Sequence, residues 1–369
     1  MRLERLSTLG VRNLAGGEVE LGADITLLWG PNGAGKTSLL EAICLALTAR
    51  SPRTSREREV ISFSASLARA EATVGGAGGS RTFLWSLSRD GERRYLVDGA
   101  PAAPGAAGER PGLVVFLPDR LALVKGPPAI RRQRLDRLVA ALWPARAAAR
   151  RRYGEALAQR NALLARLRAS RAPELDAWDR ELALRASELM AARAAACELL
   201  APEFADAAAE LGLEPAVLEY RPRCAEREPD ALVTALAERR PADLARGFTT
   251  HGPHLDEVRL TRGGRELRRY GSQGEQRTAV LALAFAERRA LAGAGRALPL
   301  LLLDDVMSEL DGERRALLAG RLGEGGQAVV TATDPGQLPG ELPRAELAVR
   351  DGAVLRRLAG EAAAGSEAA

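Results

Sequence analysis

Gly30-Pro31-Asn32-Gly33-Ala34-Gly35-Lys36-Thr37 is a complete G-x-x-x-x-G-K-[ST] run. Lysine is nearly absent elsewhere: of 53 Lys and Arg residues only Lys36 and Lys125 are Lys. The composition writes its basic residues as Arg. It keeps a Lys where a compact ammonium must reach between β- and γ-phosphates inside a tight loop, where a planar guanidinium does not fit. Ahead of the run lies Ile25-Thr26-Leu27-Leu28-Trp29, a short apolar strand. Behind it, residues 38–47 carry apolar side chains at i, i+3, i+4 and i+7, a helical spacing. Strand, Gly-rich loop and helix are the context the motif requires. Gly33 and Gly35 let backbone N–H groups turn inward as an anion nest, and the helix N-terminus adds its dipole. Gly30, Pro31, Asn32, Gly33, Ala34, Gly35, Lys36, Thr37 and Ser38 are therefore read as a nucleotide-phosphate site, with the Thr37 hydroxyl placed for Mg²⁺.

At 369 residues the chain is long for one core, so two lobes are expected. Hydrophobic content of 46% supports a globular fold, although much of it is Ala, which buries little area per residue. No stretch approaches the ~18 apolar residues of a membrane span. Met1-Arg2-Leu3-Glu4-Arg5 opens straight into a strand-like pattern, so no signal peptide is expected. Cys44, Cys197 and Cys224 show no metal-type spacing and read as small hydrophobes in a reducing cytoplasm. His251 and His254 are the two histidines. Without a paired Cys or an acidic cluster in sequence they read as turn-packing residues rather than zinc ligands. Net charge is +5, with a pI of about 9.5, which permits nucleic-acid contact without requiring it. The excess clusters at Arg131, Arg132, Arg134 and Arg137, then at Arg146, Arg150, Arg151 and Arg152. Two readings stand for these clusters, a DNA-facing surface or a solvated helix face.

Along the chain, residues 3–28 read as strands and turns, and residues 67–74, 81–88 and 93–97 as an antiparallel meander. Leu113-Val114-Val115-Phe116-Leu117-Pro118 reads as a buried strand ending at proline. From 128 to 211 the composition turns to Ala, Leu, Arg and Glu. Segments of about 145–170 and 174–200, flanking Pro173, carry apolar faces such as Leu157, Leu164 and Leu167, then Leu175, Trp178, Leu182 and Leu189. They predict an antiparallel hairpin with arms of roughly 25 residues, near 37 Å at 1.5 Å per residue. Mixed α/β returns after Pro241, with a strong helix over 274–292 and a tail, 359–369, of disordered composition.

Leu300 to Asp304 is an apolar run ending in acid, a Walker B pattern, in which Asp304 faces the Mg²⁺ shell. Asp305 follows, where ABC-type ATPases usually carry the Glu that orients attacking water. Asp is one methylene shorter, which predicts slow hydrolysis. Ser308-Glu309-Leu310-Asp311 matches the ABC D-loop. Upstream, Tyr270-Gly271-Ser272-Gln273-Gly274-Glu275-Gln276-Arg277 precedes a long helix and resembles the ABC signature. In that class the signature serine and the positive helix end meet the γ-phosphate bound by a second subunit. The resemblance thus implies contacts in trans from Ser272, Gly274, Gln276 and Asp311.

The combination resembles the RecF family of bacterial recombination mediators over nearly the full length. The resemblance rests on Arg50-Ser51-Pro52-Arg53-Thr54-Ser55-Arg56, Phe116-Leu117-Pro118-Asp119, Val124-Lys125-Gly126-Pro127-Pro128 with Arg131-Arg132, and Leu135-Asp136. It continues through Gln159-Arg160-Asn161-Ala162-Leu163-Leu164, Leu175-Asp176-Ala177-Trp178-Asp179 and Gly252-Pro253-His254. It ends with Ser272 to Thr278 and Leu302 to Asp311. Leu255 stands where the family carries Arg, and Thr331 where many ABC proteins carry a switch His. No Gln between the loop and residue 133 offers a Q-loop.

The resemblance implies an α/β fold: an ABC-type P-loop ATPase head, a mixed sheet with flanking helices and an antiparallel β meander, plus a helical lobe carrying a short coiled-coil-like hairpin. Residues 1–120 with 299–358 would form the ATP lobe and 121–298 the helical lobe. It further implies Lys36 and Asp305 as catalytic residues, Thr37 and Asp304 on Mg²⁺, Thr331 as the switch, and a weak ATPase. Implied partners are double-stranded and gapped or junction DNA, a second copy held by ATP, RecO and RecR, and indirectly RecA, at the nucleoid and with no membrane. Arg131, Arg132, Arg134, Arg150 and Arg151 are the candidate DNA contacts. Arg53 and Arg56 stand open between nucleotide contact and a solvated loop. A transport subunit would bring a membrane partner instead, and a small-molecule kinase would turn over as a monomer.

Overall fold

A computed structural model describes residues 2–76, 78–103, 112–117, 121–166, 173–323, 325–339 and 343–356. Pro118, Asp119, Leu167 and the 359–369 tail lie outside the described residues. The chain divides into two compact units, Met1–Pro118 with Ala297–Ala369, and Asp119–Arg296.

The first unit opens with β1 (Arg2–Leu9), β2 (Gly17–Glu20) and β3 (Ile25–Trp29), then α1 (Lys36–Thr48). It continues through β4 (Leu67–Gly76), β5 (Gly79–Ser88), β6 (Arg93–Val97), β7 (Ala100–Pro101) and β8 (Leu113–Phe116). The meander pairs antiparallel in the order β2-β1-β4-β5-β6-β7. Its strands alternate: in β4, Ala68, Ala70, Ala72 and Val74 turn inward while Arg69 faces out, the period-2 pattern of a sheet with one wet face. α1 instead buries nearly all of its length, from Lys36 to Leu47. A helix apolar on all sides needs cover on all sides. Here β4 and β5 cover one flank and the parallel-sheet strand over Ala328–Ala332 another.

The second unit contains α2 (Ala122–Lys125), α3 (Pro128–Leu142), α4 (Ala149–Arg166) and α5 (Pro173–Glu210). There follow β9 (Ala216–Arg221), α6 (Pro229–Arg246), β10 (Glu257–Arg262), β11 (Arg265–Glu266), α7 (Leu267–Tyr270) and α8 (Gln273–Gly293). β11-β10-β9 form a small antiparallel sheet. α4 and α5 make the expected antiparallel hairpin, with Leu164 against Leu175 near its tip and Arg160 against Asp179 a turn below. The arms are unequal, which corrects the sequence reading. α4 has 18 residues and α5 has 38, passing straight through Pro202, or roughly 57 Å at 1.5 Å per residue. Proline is expected to stop or kink a helix. Here α6, α8 and β9 all pack along α5, so tertiary burial carries the helix past a weak local signal.

The chain returns to the first unit through β12 (Leu300–Leu303), α9 (Gly312–Leu322), β13 (Ala328–Ala332), β14 (Arg344–Arg350) and β15 (Ala353–Arg356). The second sheet of this unit runs β15-β14-β3-β13-β12-β8, parallel except for the β14–β15 pair. β12, Leu-Leu-Leu-Leu, is wholly buried, as is β13. Continuous rather than alternating apolar runs mark a parallel strand covered on both faces. Register sets Leu302 beside Val329 and Val115, and Thr331 beside Leu28. The carboxyl ends of β3, β12 and β13 therefore emerge together, where open α/β sheets bind ligands. No helix among the described residues is long and apolar enough to cross a membrane.

A buried ion network fastens the hairpin to the rest of the second unit. Arg160 is fully buried and donates to Asp179 (2.6 Å), Asp243 (2.7 Å) and Thr249 (2.8 Å). Arg240 reaches the other Asp179 oxygen at 2.7 Å, and the amide and hydroxyl of Thr250 donate to Asp243. Arg160→Met is expected to leave two carboxylates underpaired and to lower unfolding stability by about 3–5 kcal/mol in urea denaturation. Arg151→Ala removes only an exposed i,i+4 pair with Glu155 and should cost less than about 0.5 kcal/mol. Equal losses in the two variants would refute the role given to burial.

Candidate functional site

The loop after β3 turns on glycine. Gly30 has φ of 156°, and a Cβ there would lie 2.1 Å from the Val349 carbonyl oxygen on β14. Gly35 has φ of 112° and precedes the first turn of α1. These conformations are open to glycine and strained for other residues. They bring the Lys36 ammonium back over its own loop, where it donates to the carbonyls of Gly30 (2.6 Å) and Pro31 (2.9 Å). Burial pulls the Lys36 pKa below its ordinary value, while the carboxylates of Asp305 and Asp304 oppose that shift.

Opposite the loop, Asp304 leaves the end of β12. Thr37 donates to both of its oxygens, at 3.0 and 2.9 Å, and Thr331 at the end of β13 donates to Oδ1 at 2.8 Å. Burial raises the Asp304 pKa, against the hydrogen bonds from Thr331 and Thr37 and the Arg53 charge, with neighbouring Asp305 adding to the rise. Thr331 also accepts the Asp305 N–H at 2.8 Å. One hydroxyl thus bridges both acids. Asp305 has φ of 46°, the left-handed region that Asp tolerates better than most side chains. Its Oδ1 is buried and has no hydrogen-bond partner among the described residues. A buried carboxylate oxygen left open, beside a carboxylate and a threonine hydroxyl, is a hard-oxygen donor set that fits Mg²⁺ and its waters.

These groups share a cavity of about 710 Å³, lined by Asn32, Gly33, Gly35, Lys36, Thr37, Ser38, Asp304 and Asp305. That volume is in the range of small-molecule sites. Thr331 stands behind Asp304. Sequence reading missed much of the opposite wall. Asn13 braces the loop, donating to the Gly33 carbonyl at 2.8 Å and accepting from Ser38 at 2.8 Å. Arg12 grips the fully buried Glu41 with two bonds of 2.9 Å. Burial pushes the Glu41 carboxyl up, but hydrogen bonds from Arg12 and Ser51 and the charges of Arg12 and Arg53 hold it below its usual value. Phe63 is fully exposed at the cavity, and Arg89 pins its loop through the carbonyls of Ser62 and Phe63, each at 2.9 Å. Nothing in the loop spacing points to these residues, because separate turns bring them in. Of the pair left open, Arg53 lines the cavity, 3.3 Å from Glu41. Arg56 is a solvated residue 3.7 Å from Glu59.

Ser272 and Gly274 are exposed at the start of α8 in the second unit. Ser272 forms a capping box, its hydroxyl accepting the Glu275 N–H at 3.2 Å while its own N–H donates to the Glu275 carboxylate at 2.6 Å. Asp311 caps α9 by accepting the Arg314 N–H at 2.9 Å. Gln276 does not match its assignment as a contact in trans. It is 2% exposed and turns inward to the carbonyls of Leu267 and Gly271. Two proposed DNA contacts, Arg131 and Arg134, are also corrected, while Arg132 is half-buried. Arg131 is 5% exposed, paired with Glu257 and spent on the carbonyls of Leu123, Val124 and Gly126. Arg134 is paired with Glu287, and Arg132 donates to the Asp256 carbonyl at 2.7 Å. Arg150 and Arg151 stay exposed, Arg150 lying 3.3 Å from Asp136.

Residues 5–96 match the model of an AAA domain. The DNA replication and repair protein RecF of Myxococcus xanthus is 38% identical over 354 residues, 92% of each chain. The protein of the same name from Heliobacterium modesticaldum is 36% identical over 334 residues, 87% of this chain and 89% of its own. A solved structure of the recombination mediator protein RecF with ATP, of the RecFOR pathway, superposes with a TM-score of 0.85 at 27% identity, covering 97% of this chain and 98% of that one. An Smc head domain from Pyrococcus yayanosii, at 14% identity and a TM-score of 0.61 over 96% and 97%, shares the ABC-type head fold.

Lys36→Met removes the ammonium facing the loop without changing the volume of α1 greatly. ATP affinity, followed with a fluorescent analogue, should fall by about 2–5 kcal/mol, the cost of truncating one partner of a desolvated charge pair. Unchanged affinity would place the nucleotide elsewhere.

Proposed function

The chain belongs to the RecF family of DNA replication and repair proteins, and from that premise we propose that it is an ATP-dependent DNA-binding protein acting as a recombination mediator. The observation that carries the reading is the Thr37–Asp304–Thr331–Asp305 cluster facing Lys36 across one cavity. Lys36 and the loop amides bind phosphate. Thr37 and Asp304 would hold Mg²⁺, which neutralises phosphate charge when bound. The open Asp305 oxygen orients a water, and its short reach makes hydrolysis slow, so ATP serves as a timed switch. The ATP-bound relative supports this choice of nucleotide.

The exposed Ser272 and Gly274, at a positive helix end, would meet the γ-phosphate held by a second copy. Asp311 would likewise contact the nucleotide of the second copy, with Thr331 sensing the site. ATP then joins two subunits, and the joined pair holds double-stranded or gapped DNA through arginine–phosphate contacts that include Arg150 and Arg151. Its work would be with RecO and RecR, loading RecA at single-strand gaps at the nucleoid in the cytoplasm, a reading that family membership and the RecFOR pathway named for the solved relative support.

Light scattering tests the switch. The native chain should pass from monomer to dimer on adding ATP·Mg²⁺, while Ser272→Arg binds the nucleotide yet stays monomeric. A Ser272→Arg chain that dimerises like the native one would sink the composite site. DNA affinity should fall linearly on a log–log plot against salt, by about 0.9 per phosphate contact. Replacing both Arg150 and Arg151 with Ala should make that slope shallower by about 2. A flat salt response would rule out phosphate contacts as the source of affinity.

A further inference from the structure

Cys224 and Glu226 sit in the loop between β9 and α6, and His251 lies beyond the C-terminus of α6. α6 carries the chain out and the segment after it brings the chain back, closing a gap of 25 residues. The His251 imidazole Nε2 ends 3.2 Å from the Glu226 carboxylate. The ligand atoms of Cys224, Glu226 and His251 all lie within 4.8 Å of one another. Cys224 is 1% and His251 6% exposed, whereas the Glu226 side chain is one-third open to solvent. The thiol shares an apolar cluster with Leu232 and Leu236. A sulfur, an imidazole nitrogen and a carboxylate oxygen converging from three directions are a zinc-type donor set.

We propose that Cys224, Glu226 and His251 bind one Zn²⁺ with three protein ligands, leaving the fourth position open on the Glu226 side. Zinc bonds of about 2.0–2.3 Å set tetrahedral ligand atoms roughly 3.3–3.8 Å apart. The Glu226–His251 pair, at 3.2 Å, already sits at that spacing, and no pair has to close by more than about 1.5 Å. Binding converts the Cys224 thiol to a metal-bound thiolate and releases its proton to solvent, with no change of oxidation state. The ion staples the loop before α6 to the turn that follows it, the turn that carries Gly252-Pro253-His254. The sequence argues against zinc because it shows no paired Cys and no acidic cluster beside the histidines. The fold supplies the proximity instead.

The full-length chain, stripped with a chelator, is titrated with Co²⁺ and then with Zn²⁺. The expected result is a thiolate-to-cobalt charge-transfer absorption that saturates at one equivalent and disappears as Zn²⁺ displaces the cobalt. Cobalt bound at Thr37 and Asp304 has only oxygen ligands and gives no such band. Cys224→Ser should abolish the band, Cys197→Ser should retain it, and His251→Ala should weaken cobalt affinity about tenfold or more. Glu226→Gln, on the open side of the cluster, should weaken it too, with an unchanged circular dichroism spectrum, and keeps the test sharp if Cys224→Ser does not fold. No charge-transfer band in the native chain, or a band that persists in folded Cys224→Ser, overturns the assignment.

Discussion

The Asp304 carboxylate is where the first unit comes together. Its oxygens take hydroxyls from the first turn of α1 and from the end of β13, and its own N–H donates to the Phe116 carbonyl at 3.0 Å. The loop helix, β12, β13 and β8 are therefore registered on a single buried acid. Burial disfavours its charge, and two hydroxyls recover part of that loss. A metal ion beside the carboxylate would recover more. Such a junction makes a phosphate loop and an acidic strand end behave as one object, a requirement for coupling nucleotide state to structure.

The second unit solves a different problem, disposing of charge in an Arg-rich chain. Arg131, Arg160 and Arg193 are almost wholly buried. Each is forked onto carboxylates or carbonyls: Arg193 takes Asp136 with two bonds of 2.7 and 3.0 Å and also the Pro253 carbonyl. Planar, permanently charged guanidinium groups suit such multidentate burial, and Lys could not replace them. His254 completes this interior. Burial lowers its pKa, and with Nε2 donating to the Thr249 carbonyl at 3.1 Å, Nδ1 accepts from the Tyr153 hydroxyl at 2.6 Å. It packs a turn, as the sequence suggests, and takes no part in the Cys224 cluster.

Local chemistry explains which features the sequence disclosed. The loop, its glycines and the apolar runs of β3, β12 and β13 carry their signal in consecutive residues, and so do the alternating strands of the meander. The Ser272 cap is equally local, since a serine followed three residues later by Glu is its own signature. Arginine destinations are not local. Nothing around Arg131 says that Glu257 and three carbonyls will consume it, or that Gln276 will face inward while Ser272 faces out. α5 outran its expected end because the surfaces that pack along it belong to α6, α8 and β9, elements distant in the chain.

The sequence by itself determined the phosphate loop, the acidic strand end and the parallel core between them, because each is coded by the spacing of neighbouring residues and by glycines that backbone geometry demands. Only the tertiary structure decided what faces them, Asn13 and Phe63 at the cavity and Thr331 as a bridge between two acids, and, within the second unit, that Cys224 lies near His251. Contacts between residues far apart in the chain depend on how helices and strands return, and no local periodicity encodes the return.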